Sequence, residues 1–203
     1  MSAPPTTVLA VSDEEAAAIR AAVRGADLKT LGAGRSAAGP EDVDDLLALL
    51  SDERVSGPIY DLPRPLTRDS VAAWIARGMT ERAAGEGLLV LNRDALGALM
   101  GYTHIAVWPE RSAGEVAGAI RAERQNSGEG GAGAIHTFDW VFTALGVRMM
   151  CLTAATDNVR SARLIDAAGF VRMGERDSVR PDGGVRRSLY WEITREQWLA
   201  RWG

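Results

Sequence analysis

Between Arg124 and Phe142 the chain reads RQNSGEGGAGAIHTFDWVF, with Gly128, Gly130, Gly131 and Gly133 crowded ahead of an apolar periodicity suited to a helix. Glycine is an expensive way to enter a helix, because it loses more conformational freedom than the Ser, Thr, Asp or Asn that usually cap one. What it offers is access. Without a Cβ, successive backbone N–H groups can close on a ligand, with the positive end of the helix dipole behind them. The chemistry this favours is binding of an anion such as a phosphate or pyrophosphate. A Walker-type loop would need Lys then Ser or Thr after its last glycine, whereas Ala134 and Ile135 follow Gly133. Gly128, Gly130 and Gly133 do have the spacing of a dinucleotide fingerprint. That motif, however, opens a parallel βαβ unit at the start of a doubly wound sheet, and the segments ahead of this loop read as an antiparallel meander.

The elements that must position such a loop can be read from periodicity and punctuation. Ser12 with Glu15 has the capping-box pattern and Gly25 a stop, which predicts a helix over 12–24. LKTL (28–31) reads as a short strand. Pro40 and the acids after it open a helix through LLALL, and LTRDSVAAWIARGM forms another that buries Val71, Trp74 and Ile75. The proline-rich stretch GPIYDLPRPL between them reads as a loop. From residue 87 the pattern changes to strands: 87–92 and 98–108 as a hairpin, then 114–121. After the glycines comes a helix from Ala132 to Leu145, a buried strand at 147–154, and a helix stopped by Gly169. A hairpin across RPDGG and a capped tail, TREQWLARW, close the chain. Helices, a meander and then β-α-β-α-β-β make an α/β (α+β) domain whose sheet is mixed and mostly antiparallel.

Gln125-Asn126-Ser127-Gly128-Glu129-Gly130 resembles the Gln/Arg-x-x-Gly-x-Gly/Ala loop of the GNAT acetyltransferase superfamily. A second stretch, Asn158 to Phe170 (NVRSARLIDAAGF), resembles that superfamily's Asn-x-x-Ser-x-x-Leu-x-x-x-x-Gly-Phe block at the expected distance. The resemblance is closest to the branch that acetylates the N-termini of ribosomal proteins. It covers about 28–200, so 1–27 reads as an N-terminal helical extension and 28–203 as a single acetyltransferase domain.

The resemblance implies acetyl-CoA as co-substrate, no metal, and direct transfer of acetyl to a primary amine, either a small molecule or a protein N-terminus. The loop, with Gly131 and Ala132, would hold the pyrophosphate of coenzyme A. Backbone amides of Ile120, Arg121 and Ala122 would meet pantetheine and the thioester carbonyl, as acyl transfer requires a donor at the developing oxyanion. Asn158 would cap its helix and contact pantetheine, and Ser161 would lie near the sulfur. Arg160 and Arg163 would reach the 3'-phosphate. Many members carry a tyrosine acid where this chain has Ile165, which moves the acid role to Ser161, with Tyr190 in reserve. The base is expected to be a carboxylate: Glu115 first, with Asp177 and Glu175 as alternatives. Arg180 falls roughly where the ribosomal branch has a proposed catalytic glutamate.

Composition narrows the classes further. The chain has 203 residues, 46% of them hydrophobic and 25% charged, with a formal net charge of -4. That is enough for a sizeable core and gives no reason to expect a nucleic acid or membrane partner. Cys151 is the lone cysteine, so no internal disulfide is possible, and it reads as packing; His104 and His136 read as structural. The expected setting is the cytoplasm, with a homodimer suggested by the resemblance. Two other classes stand beside the enzyme: a catalytically silent acyl-CoA-binding or regulatory module, and a dinucleotide-dependent oxidoreductase, in which the Asn158–Phe170 block has no place.

Overall fold

The computed structural model describes residues 3–59, 61–125, 129–179 and 183–203, with Glu129 and Gly130 described in their backbone alone. Helix α1 (Asp13–Gly25) starts at Ser12, whose hydroxyl accepts the Glu15 N–H. The capping box predicted there is half realised. Glu15 does not reach back to Ser12 but takes Arg148 in an ion pair at 2.7 Å. LKTL, expected as a strand, is a 3-10 turn: the Asp27 carboxylate caps the Lys29 N–H, and Leu28 and Leu31 fall on one buried side at i, i+3. A short strand follows, β1 (Arg35–Ala37). Helices α2 (Val43–Leu50) and α3 (Glu53–Ser56) come next, then α4 (Arg68–Ala84), with Thr67 and Ser70 capping α4 reciprocally. Gly85, at φ 78°, ends α4 in the left-handed conformation that suits a residue without a Cβ.

The sheet is built from β2 (Gly87–Arg93), β3 (Leu99–Trp108), β4 (Ala113–Ile120), β5 (Met149–Ala155), β6 (Val171–Val179) and β7 (Val185–Thr194), together with β1. Strand order is β1-β2-β3-β4-β5-β7-β6, and every neighbouring pair is antiparallel except β4 with β5. Helix α5 (Glu129–Ala144) connects β4 to β5, α6 (Val159–Ala168) connects β5 to β6, and α7 (Arg195–Trp202) follows β7. Helix α5 begins three residues earlier than its apolar pattern announced, because the glycines supply helical backbone with no side chain to show periodicity.

Both faces of the sheet are covered, which explains why GLLVLN reads as an unbroken apolar run. Leu88 and Val90 turn towards a core with Val23 of α1, Phe142 of α5 and Trp191. Leu89 and Leu91 turn the other way, against Leu46 of α2 and Trp74 of α4. On this second face the helices cover β1 to β3, and α3 alone reaches β4. The face of β4, β5, β7 and β6 beyond them is where the site lies.

Candidate active site

Strands β4 and β5 pair only from Ala113–Glu115 to Met149–Cys151. Yet β4 continues to Ile120 and β5 to Ala155, so past Glu115 the two strands part. Parting strands leave backbone polar groups without ladder partners, which must find water or a ligand. The space between them belongs to a cavity of about 800 Å³. The ladder settles which groups face it. The Arg121 N–H donates to the Met100 carbonyl at 2.8 Å. Alternation along an antiparallel pair then turns 119 and 117 towards β3, and 120, 118 and 116 into the fork. Of the strand-end amides expected to meet pantetheine, Ile120's therefore projects into the cavity and Arg121's does not. Ala122 opens a 3-10 turn (Ala122–Arg124) and stands outside the cavity wall.

On the side of α5 and α6, Gly131 and Gly133 line the cavity, and a Cβ on Gly131 would stand 3.5 Å from Leu164. Asn126, Ser127 and Gly128 lie outside the described residues, while Glu129 and Gly130 form the first turn of α5. Ala132 is exposed and turned away. Asn158 caps α6, its Oδ1 accepting the Ser161 N–H at 3.1 Å, and both residues line the cavity. Arg160 lines it too and donates to the Gln125 side chain at 2.9 Å, tying α6 to the loop. Arg163, grouped with it from sequence, is exposed and off the cavity wall. Two residues beyond Ser161 is about 200° around the helix, the far side.

Glu115 sits where the strands part. It is 5% exposed and accepts the Thr153 hydroxyl at 3.1 Å. Asp177 stands on the cavity rim, exposed, in an ion pair with Arg187 at 3.2 Å. Glu175 shares that arginine at 2.9 Å and is not part of the wall. Geometry thus separates the three candidate carboxylates: Glu115 is in the fork and the others belong to a surface ion network. Ile165, at the tyrosine position, is buried in the core beneath α6. Tyr190 is buried and donates to Glu192; burial, then that hydrogen bond, pushes its phenol far up. Burial first, with Glu115 nearby, pushes the Cys151 thiol well above its ordinary value, so the sulfur is held as a thiol in the packing. His136 is exposed on α5, and His104 meets Glu81 at 3.2 Å with Asp61 at 3.9 Å. Arg180 lies outside the described residues. Among the described residues no cluster of His, Cys, Asp or Glu is placed to hold a metal, and no helix is long and apolar enough to cross a membrane.

Sequence reasoning missed a segment altogether. Residues 3–7 run as a strap across β5 and β7. Glu192 accepts the Thr6 hydroxyl and N–H at 2.8 and 2.6 Å and the Thr7 N–H at 3.1 Å, and Arg111 holds the Pro5 carbonyl at 2.7 Å. Ala3 reaches the cavity wall. The strap's own composition gives no signal. Its anchor did: Glu192 interrupts the otherwise apolar run LYWEI, and a charge in a buried strand needs a partner. Burial alone would raise the Glu192 carboxyl, but hydrogen bonds from Thr7, Tyr190 and Thr6 outweigh it and hold the group below the usual carboxylate range. A depressed folded-state pKa gives stability that is full above the unfolded value, near ~4.3, and fades as pH falls through the folded one. Amide protection at Thr6 and Thr7 in hydrogen exchange is therefore expected to collapse below about pH 4, ahead of the core strands. Protection that survives until global unfolding would contradict the assignment.

Comparison with known proteins adds the following. A family model described as an acetyltransferase (GNAT) domain matches residues 36–171. No curated protein sequence gives a significant match. Among solved structures, a ribosomal-protein-S5-alanine acetyltransferase from Vibrio fischeri superposes with a TM-score of 0.67 at 16% identity, covering 81% of this chain and 93% of that one. RimJ of Mycobacterium smegmatis, in complex with CoA-disulfide, gives 0.67 at 17% identity, covering 80% and 82%. A variant of the spermidine N-acetyltransferase SpeG from Vibrio cholerae gives 0.66 at 19% identity, covering 82% and 98%. Identities this low speak to the fold, and the shared fold has the same mixed sheet flanked by helices.

Proposed function

Since this chain belongs to the GNAT acetyltransferase family, we propose that it transfers acetyl from acetyl-CoA directly to a primary amine, with both substrates bound together. The observation that carries the reading is the fork itself: strands held in parallel up to Glu115, then parted around a cavity with a buried carboxylate at the point of parting. Val116, Gly118 and Ile120 offer backbone groups along the open edge of β4, as a pantetheine amide chain requires. Gly131 and Gly133 leave room for a pyrophosphate at the start of α5, where the helix dipole favours it. Asn158 and Arg160 complete that wall. We read 28–203 as the acetyltransferase domain and 1–27 as an extension that closes its acceptor side.

Acetyl-CoA supplies the acetyl group activated as a thioester. The chain's residues manage protons and position. Near neutral pH an acceptor amine is largely protonated, its pKa lying at about 8–10, so a base must free the lone pair before it can attack. Glu115 takes that proton, Thr153 holding the carboxylate in place. As the nitrogen–carbon bond forms and the carbon–sulfur bond breaks, the open-edge N–H groups face the developing oxyanion, and the Ser161 hydroxyl gives a proton to the departing sulfur and recovers one from the second proton that the acylated nitrogen sheds. The acceptor enters from the side of Asp61, Asp177 and Ala3. The relatives with solved structures include enzymes named for a ribosomal protein and for spermidine, and both acceptor types carry the amine this site needs.

Thermal unfolding with acetyl-CoA, CoA and NADH in parallel tests the donor side. Coenzyme A species at a hundredfold over their Kd are expected to raise Tm by roughly 5–10 °C, corresponding to about 2.7 kcal/mol. A shift with NADH alone, or none with millimolar CoA species, would overturn the reading.

A further inference from the structure

Four arginines of the β6–β7 hairpin can be compared by what they hold. Arg172 is paired with Asp166 at 2.6 Å, and Arg187 with Glu175 and Asp177. Arg186 reaches the Pro58 carbonyl. Arg176 differs. Its guanidinium lies 4.0 Å over the Tyr190 ring and donates to the Ala3 carbonyl at 3.3 Å. Among the described residues no carboxylate comes within ion-pair distance of it. A guanidinium carries five N–H donors in a rigid fork, and one long bond to a backbone carbonyl leaves that fork underused. The half-buried side chain forms part of the cavity wall that also holds Glu115.

Resting on the acetyltransferase reading above, we infer that Arg176 is a specificity-determining residue that selects an acceptor carrying a carboxylate alongside its amine. The ring beneath it fixes the plane of the guanidinium, and a carboxylate is the group whose two oxygens match that fork. Register places the partner pole. Arg176 pairs with Ser188, which shares a sheet face with Tyr190 and Glu192, and Glu192 is in line with Cys151 and Glu115. Glu115 and Arg176 thus stand on one face, three strand spacings across and four residues along, or roughly 19 Å between backbones, and the guanidinium leans back over Tyr190 towards the row of Glu192, Cys151 and Glu115. Two long side chains lean into that gap from opposite sides, with Cys151 between them. What remains is the span of a small zwitterion, with its ammonium against Glu115 and its carboxylate against Arg176. The Ala3 carbonyl marks where the acceptor's oxygens bind, and the strap must yield that bond to them.

The test compares matched pairs: alanine, β-alanine and γ-aminobutyrate against their carboxamides, with an alanine-led tripeptide as a third arm. CoA thiol release gives kcat/KM, and calorimetry gives the affinity of the CoA-bound protein for each acid. The acid-to-amide ratio cancels amine basicity when it is compared between enzyme variants. In Arg176→Gln that ratio is expected to fall about 10–100-fold, the worth of a charge-assisted hydrogen bond, with most of the change in KM for the acid and a matching loss in its calorimetric affinity. Arg176→Lys, which keeps the charge without the fork, should fall between. A purely structural role would lower acid and amide together and leave the ratio alone. An unchanged ratio, or a wild-type enzyme that prefers the amides or the tripeptide, overturns the inference and leaves the acetyltransferase reading standing. Failure of every amine, with no binding of acetyl-CoA, sinks both.

Discussion

Glu115→Gln is expected to lower kcat for acetyl transfer about 10²–10⁴-fold at neutral pH, the usual range for losing a positioned general base. Glutamine is the demanding substitution, because it keeps the shape and can still accept the Thr153 hydroxyl that holds Oε1 at 3.1 Å. Only the ability to take a proton is removed. The pH profile separates this from a packing effect. A working base lets the rate level off once it is ionised, whereas the variant should keep rising towards the amine's own pKa of about 8–10. Affinity for coenzyme A is expected to survive, since the loop, Asn158 and Arg160 are untouched. The competing assignment is Asp177. It shares Arg187 with Glu175 on an exposed hairpin, and surface pairs of this kind contribute ~0–1 kcal/mol. If Asp177→Asn carries the loss and Glu115→Gln retains the activity, the base has been misplaced.

Trp198→Ala is expected to destabilise the fold by about 3–5 kcal/mol, a fall in Tm of roughly 6–20 °C for a chain of this length. Trp198 is 0% exposed and packs edge-on to Phe138 at 6.0 Å, tilted on Phe142 at 5.8 Å and stacked on Trp202 at 5.7 Å. Its Nε1 donates to Asp139 at 3.1 Å, so truncation also removes that carboxylate's donor. The residue belongs to α7 but leans on α5, the helix whose first turn follows the glycine loop. Loss of this contact is therefore expected to weaken coenzyme A binding as well, although Trp198 is not part of the cavity wall. Trp198→Phe, which refills most of the volume, should recover much of both. A Tm within a degree of the wild type after Trp198→Ala would show that α7 is an appendage and not part of the core.

Much of this architecture was legible because periodicity and punctuation agree along most of the chain. The α4 face of Val71, Trp74 and Ile75, the stop at Gly169 and the cap at Asn158 each follow from a local rule that tertiary packing leaves in force. The misreadings have a common cause. LKTL is short and apolar enough to pass for a strand, but its leucines at i, i+3 share a side only in a helical turn, which Asp27 starts by folding onto Lys29. The three residues of β1 exist because β2 offers them an edge, pairing Arg35 with Asn92. In the site, the residues found by motif were those whose role is local: the glycines, Asn158 and Ser161. Arg176 on the cavity wall, and the strap that Glu192 anchors beside it, are brought together by strand order β5-β7-β6 and by a segment far away in sequence. No window of the sequence contains that juxtaposition. Arg163 and Arg121 stand off the cavity wall for a simpler reason, since a motif gives neighbourhood and not direction.

The most direct test of the central claim is to follow free thiol and product mass together. Purified protein is mixed with saturating acetyl-CoA and a panel of primary amines that includes amino acids, polyamines and short peptides. The account predicts that thiol appears when a suitable amine is present and matches, mole for mole, an amine heavier by one acetyl group. Thiol release that ignores the amine would indicate hydrolysis. Acetyl-CoA bound tightly, with no thiol released by any amine, would contradict transfer and leave a fork that binds an acyl donor without using it.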